Sequence, residues 1–398
     1  MIIHVLDETQ TAINIIDSYF SYIWTEKYGE CGTFELYLPL GYINNDILSN
    51  GMYLYSEEMR NSTLMVIEDI QINAKTDGDQ MVLTGRSLES LLDRRICWEE
   101  PTIYDTAYET IKELLNNNVI NPSDYKRAIP NFIFETSNDQ TVLSATPPYL
   151  EDQTLQGANL YSLITEICGY ANLGFRVKPT FDGGFIFSLY AGKRRTADQS
   201  SYQPVIFSTK LETLLGSDYF KSTRETKNSV LVWGPLQEIY EDKDYIDENG
   251  NSWTETVLVE SIQHQFEGGD ASGLDRREGF IEAGEISLPD EDADSEDADE
   301  LKKAYQQAYM EYKAEEFLDE YNKPIITFDG ELNTHDQYQF KKDYDIGDIV
   351  EVINDYNVRC VCRITEVVYS YSDEGRTILP TFTNVEDSQE VETKKKRG

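Results

Sequence analysis

Two stretches near the ends of this chain carry the same pattern, and that repetition constrains the fold more than any other feature. Ile67-Glu68-Asp69-Ile70 matches Ile364-Thr365-Glu366-Val367 at an offset of 364 − 67 = 297. The same offset carries Asp77-Gly78 onto Glu374-Gly375 and Met81-Val82 onto Ile378-Leu379. Gly51 falls within one residue of this frame relative to Gly347. Both stretches read as strand, acidic-glycine turn, strand. Any two hairpins with a glycine turn look somewhat alike. A spacing kept across both the strand and its turn favours two related small barrels, one at each end.

The surroundings agree. Short apolar or alternating runs fill residues 1–85: Ile2–Leu6, Ser18–Trp24, Thr33–Leu38, Met52–Tyr55, Leu64–Ile72 and Met81–Thr84, punctuated by Gly29, Gly32, Asn50-Gly51 and Asp77-Gly78. Strands at such spacing predict a small antiparallel barrel or sandwich. Ile325–Phe328, Ile349–Ile353, Val358–Val368 and Thr377–Phe382 repeat the pattern near the other end.

Between the ends the period changes. Ser87 is placed to cap a short helix Leu88–Arg94, and Asp105 opens a helix to about Asn117 with Ala107, Ile111, Leu114 and Leu115 on its apolar face. Asn131–Glu135 reads as an isolated strand. A further helix from about Asn159 to Asn172 buries Leu160, Leu163, Ile164, Ile167 and Cys168, with Gly174 as its stop. The hairpin Phe175–Pro179, turn Asp182-Gly183-Gly184, Phe185–Tyr190 follows, then strands Val205–Phe207 and Ser229–Trp233. Eight of the eleven positions from Asp290 to Glu300 are acidic, and a helix from about Glu300 to Tyr321 comes next, marked by Leu301, Ala304, Tyr305, Ala308, Tyr312, Glu315 and Leu318. From Glu285 to Glu320 the charge is 3 − 14 = −11, so this stretch either flanks a channel that DNA must not stick to or is a solvated insertion.

Charge narrows the function. Lys and Arg number 34 against 73 Asp and Glu, a net charge of −39. A non-specific nucleic-acid binder needs cations to neutralise phosphates, and docking on anionic lipid needs them too. No apolar run approaches the roughly 18–20 residues of a membrane helix, and Met1–Gln10 lacks the basic and apolar regions of a secretory signal, so no stable membrane association is expected.

Candidate chemical groups are sparse. Cys31, Cys97, Cys168, Cys360 and Cys362 form no CxxC pair and read as small buried residues; His4, His264 and His335 have no metal-ligand partner at helical spacing. Cys31 and His4 are the best available nucleophile and base, more readily read as structural. No HExxH, GxSxG or P-loop is present. Arg194, Arg195 and Thr196 invite a binding site, against charge pairing within this acidic subunit or with a neighbour. Tyr104, Tyr108, Tyr149, Tyr161 and Tyr170 could line a carbohydrate face or pack at an interface. Lys394–Lys396 and Arg397 read as a solvated basic end. No catalytic, cofactor or metal residue is assigned, and the expectation is not an enzyme.

Several motifs resemble siphophage tail-hub, or tail-associated, proteins. They are Trp24-Thr25-Glu26-Lys27-Tyr28-Gly29 with Gly32-Thr33-Phe34-Glu35-Leu36 and Pro39, and Thr84-Gly85-Arg86-Ser87-Leu88 with Leu91-Leu92 and Arg94-Arg95-Ile96. Tyr190-Ala191-Gly192-Lys193-Arg194-Arg195-Thr196 resembles that family's Gly-x-Arg-Thr element, followed by Val205–Ser208 and Lys227-Asn228. Asp345-Ile346-Gly347-Asp348-Ile349-Val350, Arg363–Glu366 and Pro380-Thr381-Phe382 resemble its closing barrel.

The resemblance implies a relative of the baseplate hubs of contractile tails and type VI spikes, a homotrimer whose two barrels per subunit make a ring of six, 3 × 2. Such a ring would join the hexameric tail tube to threefold distal components. The implied partners are distal tail and tail tube proteins, the tape measure protein, and distal tip, spike or receptor-binding proteins, with DNA passing through unbound. Made in the bacterial cytoplasm, it would reside in the virion at the distal tail tip. A tail-associated peptidoglycan lysin and a receptor-binding protein are the alternatives.

The expected fold is α+β, mainly β: two similar small antiparallel β-barrels at the chain ends with α+β insert domains between them. The expected segments are a first barrel 1–95, an insert 96–200, a second insert 201–324, a second barrel 325–383 and a flexible tail 384–398.

Overall fold

The computed structural model describes residues 2–40, 48–56, 64–73, 80–148, 154–247, 251–284, 298–332, 338–354, 358–373, 375–385 and 389–390. Tyr149, the turn at Asp77-Gly78, Glu374, the acidic run Asp290–Asp297 and the basic C-terminal cluster lie outside them. The chain divides into two compact units, residues 1–220 with 327–398, and residues 221–326.

In the first unit, β1 (Ile3–Leu6), β2 (Ala12–Ile16), β3 (Ser21–Lys27), β4 (Thr33–Pro39), β5 (Tyr53–Ser56), β6 (Met65–Asn73) and β7 (Gln80–Ser87) form from the N-terminal alternating runs. In β4 the period of two sends Phe34, Leu36 and Leu38 into the core and turns Glu35 and Tyr37 outward. A 3₁₀ turn follows at Leu88–Arg94. Ser87 does not cap it; its Oγ accepts from Gly32 N–H at 2.8 Å. Helix α1 (Ala107–Leu115) is capped by Thr106 rather than opened by Asp105. Helix α2 (Leu160–Tyr170) is capped by Asn159 and buries the five residues expected of it. With β8 (Phe132–Phe134), β9 (Gly174–Pro179) and β10 (Phe185–Tyr190), these helices share one apolar core with β5, β6 and the 3₁₀ turn. The hairpin β9–β10 forms as expected, with Phe185 opposite Pro179.

Next come β11 (Ile206–Ser208) and β12 (Leu214–Ser222). The second unit holds β13 (Ser229–Ile246), β14 (Ser252–Gly268), β15 (Glu278–Glu282) and helix α3 (Ala298–Tyr321). α3 does not present the expected stripe: Tyr305 and Tyr312 are exposed, while Met310 and Ala314 are buried with Val230, Val232 and Ala283. Four-residue spacing along the helix sets that contact row.

The chain then returns through β16 (Ile325–Leu332), β17 (Ile349–Ile353), β18 (Val358–Ser372), β19 (Gly375–Asn384) and β20 (Gln389–Glu390). The antiparallel, mainly β character is as expected, but among the described residues neither end closes into a barrel. Among the described residues the strands of the two ends join one 14-stranded sheet in the order β12-β16-β19-β18-β3-β4-β7-β6-β5-β1-β2, with β17 and β20 also on β18 and β11 on β17.

Within that sheet the sequence echo becomes a structural repeat. Strands β3-β4-β7-β6-β5 stand in one order, and β12-β16-β19-β18-β17 stand in the same order. The β6–β7 pairs Met65–Ser87, Ile67–Gly85, Asp69–Thr84 and Asn73–Gln80 have counterparts 297 residues on, Cys362–Asn384, Ile364–Phe382, Glu366–Thr381 and Ser370–Thr377. Each module carries a β-bulge at the same place, after Ile67 and after Ile364. Each bulge is clamped alike: Gly51 N–H donates to Ile67 O and Gly347 N–H to Ile364 O, both at 2.8 Å. Both glycines sit in the left-handed region, at φ 91° and 88°, which favours a residue without a Cβ. Thr33-Phe34-Glu35 and Thr327-Phe328-Asp329 pair with matching positions of β7 and β19.

Candidate functional site

The bulge and the strand period together place one repeated feature on the open face of the sheet. In the first module Glu35 lies opposite Thr84, and Thr84 opposite Asp69. In the second, Asp329 lies opposite Thr381, and Thr381 opposite Glu366. Each module thus lays an acid–threonine–acid row across three strands. Thr84 Oγ donates to Asp69 at 3.4 Å, and Thr381 Oγ to Asp329 at 2.9 Å. Glu35 accepts from the Tyr37 hydroxyl. Asp69 and Asp329 are exposed; the other four residues are half-buried. The first row continues across the junction of the modules through Ile23, Ser370 and Thr377. Lys27 meets Glu366 at 3.7 Å beside that junction. Such a face offers carboxylates and hydroxyls and no clamp for phosphate. The sequence carried part of the signal: Asp69 and Thr84 meet Glu366 and Thr381 at the offset of 297, while Glu35 and Asp329 lie 329 − 35 = 294 apart.

The motif segments around this face are structural. The Gly-x-Arg-Thr element runs beside β17. A Cβ on Gly192 would lie 1.6 Å from Gly347 O, so the two backbones touch. Asp348 accepts from Lys193 N–H at 2.7 Å, Arg195 Nε at 2.6 Å and Asp345 N–H at 3.0 Å. Arg194 pairs with Asp198 at 3.0 Å, and the Thr196 hydroxyl also donates to Asp198. These residues pair within the chain. Nearby, Arg176 grips Asp345 with two bonds of 2.9 Å and stacks on Tyr190, while Lys341 bridges Asp345 and Glu26. Burial pushes the Asp345 carboxyl up, but Lys341 and Arg176 outweigh it and hold it at about 2.

Cys31 and His4 are not brought together. Cys31 lies at the β3–β4 turn, where its N–H donates to the Tyr161 hydroxyl; His4 lies on β1 against Tyr55, with β7, β6 and β5 between β4 and β1. Burial, reinforced by Glu89, pushes the Cys31 thiol up to about 12, opposite to an activated nucleophile. All five cysteines are buried. The four described tyrosines of that set form no shared face: Tyr108 is in the core and Tyr161 packs against it, whereas Tyr104 and Tyr170 are exposed. Among the described residues, no group of three or more His, Cys, Asp or Glu is arranged to hold a metal ion.

A family model described as Siphovirus ReqiPepy6 Gp37-like protein matches residues 2–383. The chain belongs to this siphovirus tail protein family. Two solved structures share the family member's fold over nearly its whole length. The tail protein from Neisseria meningitidis MC58 aligns at a TM-score of 0.56 with 12% identity, covering 96% of this chain and 97% of that one. The 43 kDa tail protein of prophage MuSo2 from Shewanella oneidensis aligns at 0.54 with 11% identity, covering 96% and 98%. No curated protein matches the chain. As a family member it is a phage tail protein with a structural role in the tail.

Proposed function

We propose that this protein is the structural hub at the distal end of a siphophage tail. Three copies, each with two like modules, form a pseudo-sixfold ring that joins the hexameric tail tube to threefold tip components and encloses the DNA channel. The observation that carries this reading is the repeat: two five-strand modules of one order, one register and one bulge position within a single chain. A closed ring of three such chains presents six like surfaces on one side while keeping true threefold symmetry. Its partners are then the distal tail and tube proteins and the tape measure protein above, and a tip, spike or receptor-binding protein below. The role is structural, not enzymatic.

The acid–threonine–acid rows give the open face its function: they line the channel. Three chains would set twelve row carboxylates, 3 × 2 × 2, around passing DNA, where like charge keeps phosphates from sticking. Electron microscopy of an assembled tail with this subunit labelled tests the ring. Density with six modules at the tail tip is expected, and a subunit placed along the tail shaft overturns the reading. Changing Asp69 and Asp329 together to Lys tests the lining: DNA ejection is expected to slow, and an unchanged rate removes that role.

A further inference from the structure

One junction inside the chain shows how two chains would meet. β3 lies along β18, Tyr22–Lys27 against Glu366–Tyr371, on the same edge where β17 pairs with Arg359–Arg363. This junction ties the first module to the second. The repeat supplies the same two halves again, separated. The counterpart of the β18 edge, 297 residues earlier, begins at Asp69. β5 covers only Met65 and Val66 of that edge, and among the described residues no strand covers Asp69–Asn73 there. The counterpart of β3 is β12. Tyr219 packs on Phe328 as Trp24 packs on Phe34. Among the described residues β12 has one neighbour in the sheet, β16.

We propose that copies of this chain join head to tail, the outer edge of β12 in one copy pairing with the Asp69–Asn73 edge of β6 in the next. The inference rests on the trimer reading, and it names the interface. Burial supports it. At the internal junction Val367 and Tyr369 are 0% and 4% exposed, but Ile72, the counterpart of Tyr369, is 52% exposed. On the other half Trp24 and Thr25 are 2% and 7% exposed, while their counterparts on β12, Tyr219 and Phe220, are 37% and 58% exposed. Apolar side chains beside a bare strand edge attract another strand. Because the two edges differ, the contact is heterologous. It closes a ring when each junction turns the next module by one sixth, which three chains complete.

The Val368–Thr25 pair of the internal junction corresponds to Gln71 and Phe220 between copies. A full-length chain carrying Gln71→Cys and Phe220→Cys is treated with a short bismaleimide; the native cysteines are buried and stay unreacted. A covalent trimer on a denaturing gel is expected from the double variant and only monomer from each single variant. A trimer by native mass that stays unlinked overturns this interface and leaves the trimer standing. Folded monomer alone at micromolar concentration overturns both. Ile72→Lys serves as a second probe, since an exposed residue tolerates the change in the monomer. Loss of the trimer with unchanged circular dichroism is expected, and a trimer as stable as the wild type overturns the proposal.

Discussion

Asp348 is a buried carboxylate of the second module that accepts three hydrogen bonds, so Asp348→Ala is a sharp probe of how that module is held. Its side chain is 4% exposed, and that of Arg195 is 12% exposed. The carboxylate accepts three donors, Lys193 N–H, Arg195 Nε and Asp345 N–H. Alanine strands a buried guanidinium and two backbone amides at once. Breaking a buried ion pair by removing one partner costs about 3–5 kcal/mol. Arg195→Ala should cost less, because Asp348 keeps its two backbone donors. Two units need not unfold together, so the measurement must resolve them. Hydrogen exchange read by mass spectrometry does so peptide by peptide. Peptides spanning 192–205 and 345–353 should lose about 3 kcal/mol or more of protection in Asp348→Ala, while those of β13 and β14 stay unchanged. A loss below about 1 kcal/mol, or one smaller than that of Arg195→Ala, would refute the reasoning.

Other outcomes follow from the same contacts. Asp345 is held at about 2 against an ordinary 3.8, so the stability it contributes is present above that ordinary value and fades as pH falls toward 2. Acid titration of stability should flatten in Asp345→Asn, but only in part, because 34% of the side chain still meets solvent. Glu89 behaves oppositely: burial raises its carboxyl, and one oxygen has no partner among the described residues. Its contribution is lost as pH rises past its ordinary value, so Glu89→Gln should gain melting temperature relative to wild type as the pH is raised above that value. Gly85→Ala places a Cβ 1.9 Å from Val66 O at the bulge, and a loss of roughly 1–3 kcal/mol or more in denaturant unfolding is expected. Cys31, buried and raised to about 12, should resist iodoacetamide at pH 8 until the chain unfolds.

Local pattern made much of the first unit legible. Alternation fixed β4, helical spacing fixed α2, and glycine turns fixed the β9–β10 hairpin, because each depends on neighbours a few residues away. The long β13–β14 hairpin was hidden beyond Trp233. Its outer residues, such as Glu238, Glu241, Asp242 and Lys243, are exposed on both faces and leave no apolar alternation to read. The face of α3 was misread for a similar reason: tyrosines count as apolar in a sequence, but Tyr305 and Tyr312 keep to the surface while Met310 and Ala314 meet β13. Of the candidate site, Asp69, Thr84, Glu366 and Thr381 stand in the repeat frame, whereas Glu35 and Asp329 fall three residues out of it, and no local pattern shows that the six share a face.

The sequence alone determined that the two ends are copies, because a frame of 297 residues survives in strands, turns and acids alike. It did not determine whether the copies close on themselves or on each other. That depends on which strand covers the free edge of β18, and only the folded chain supplies β3 for it. Backbone donors and acceptors along a strand edge must find partners, yet nothing in local sequence says whose. Tertiary structure therefore decided that the expected barrels are modules of one sheet. Among the described residues it leaves the matching edges of β6 and β12 without a strand neighbour, and we propose that a second copy continues the sheet there.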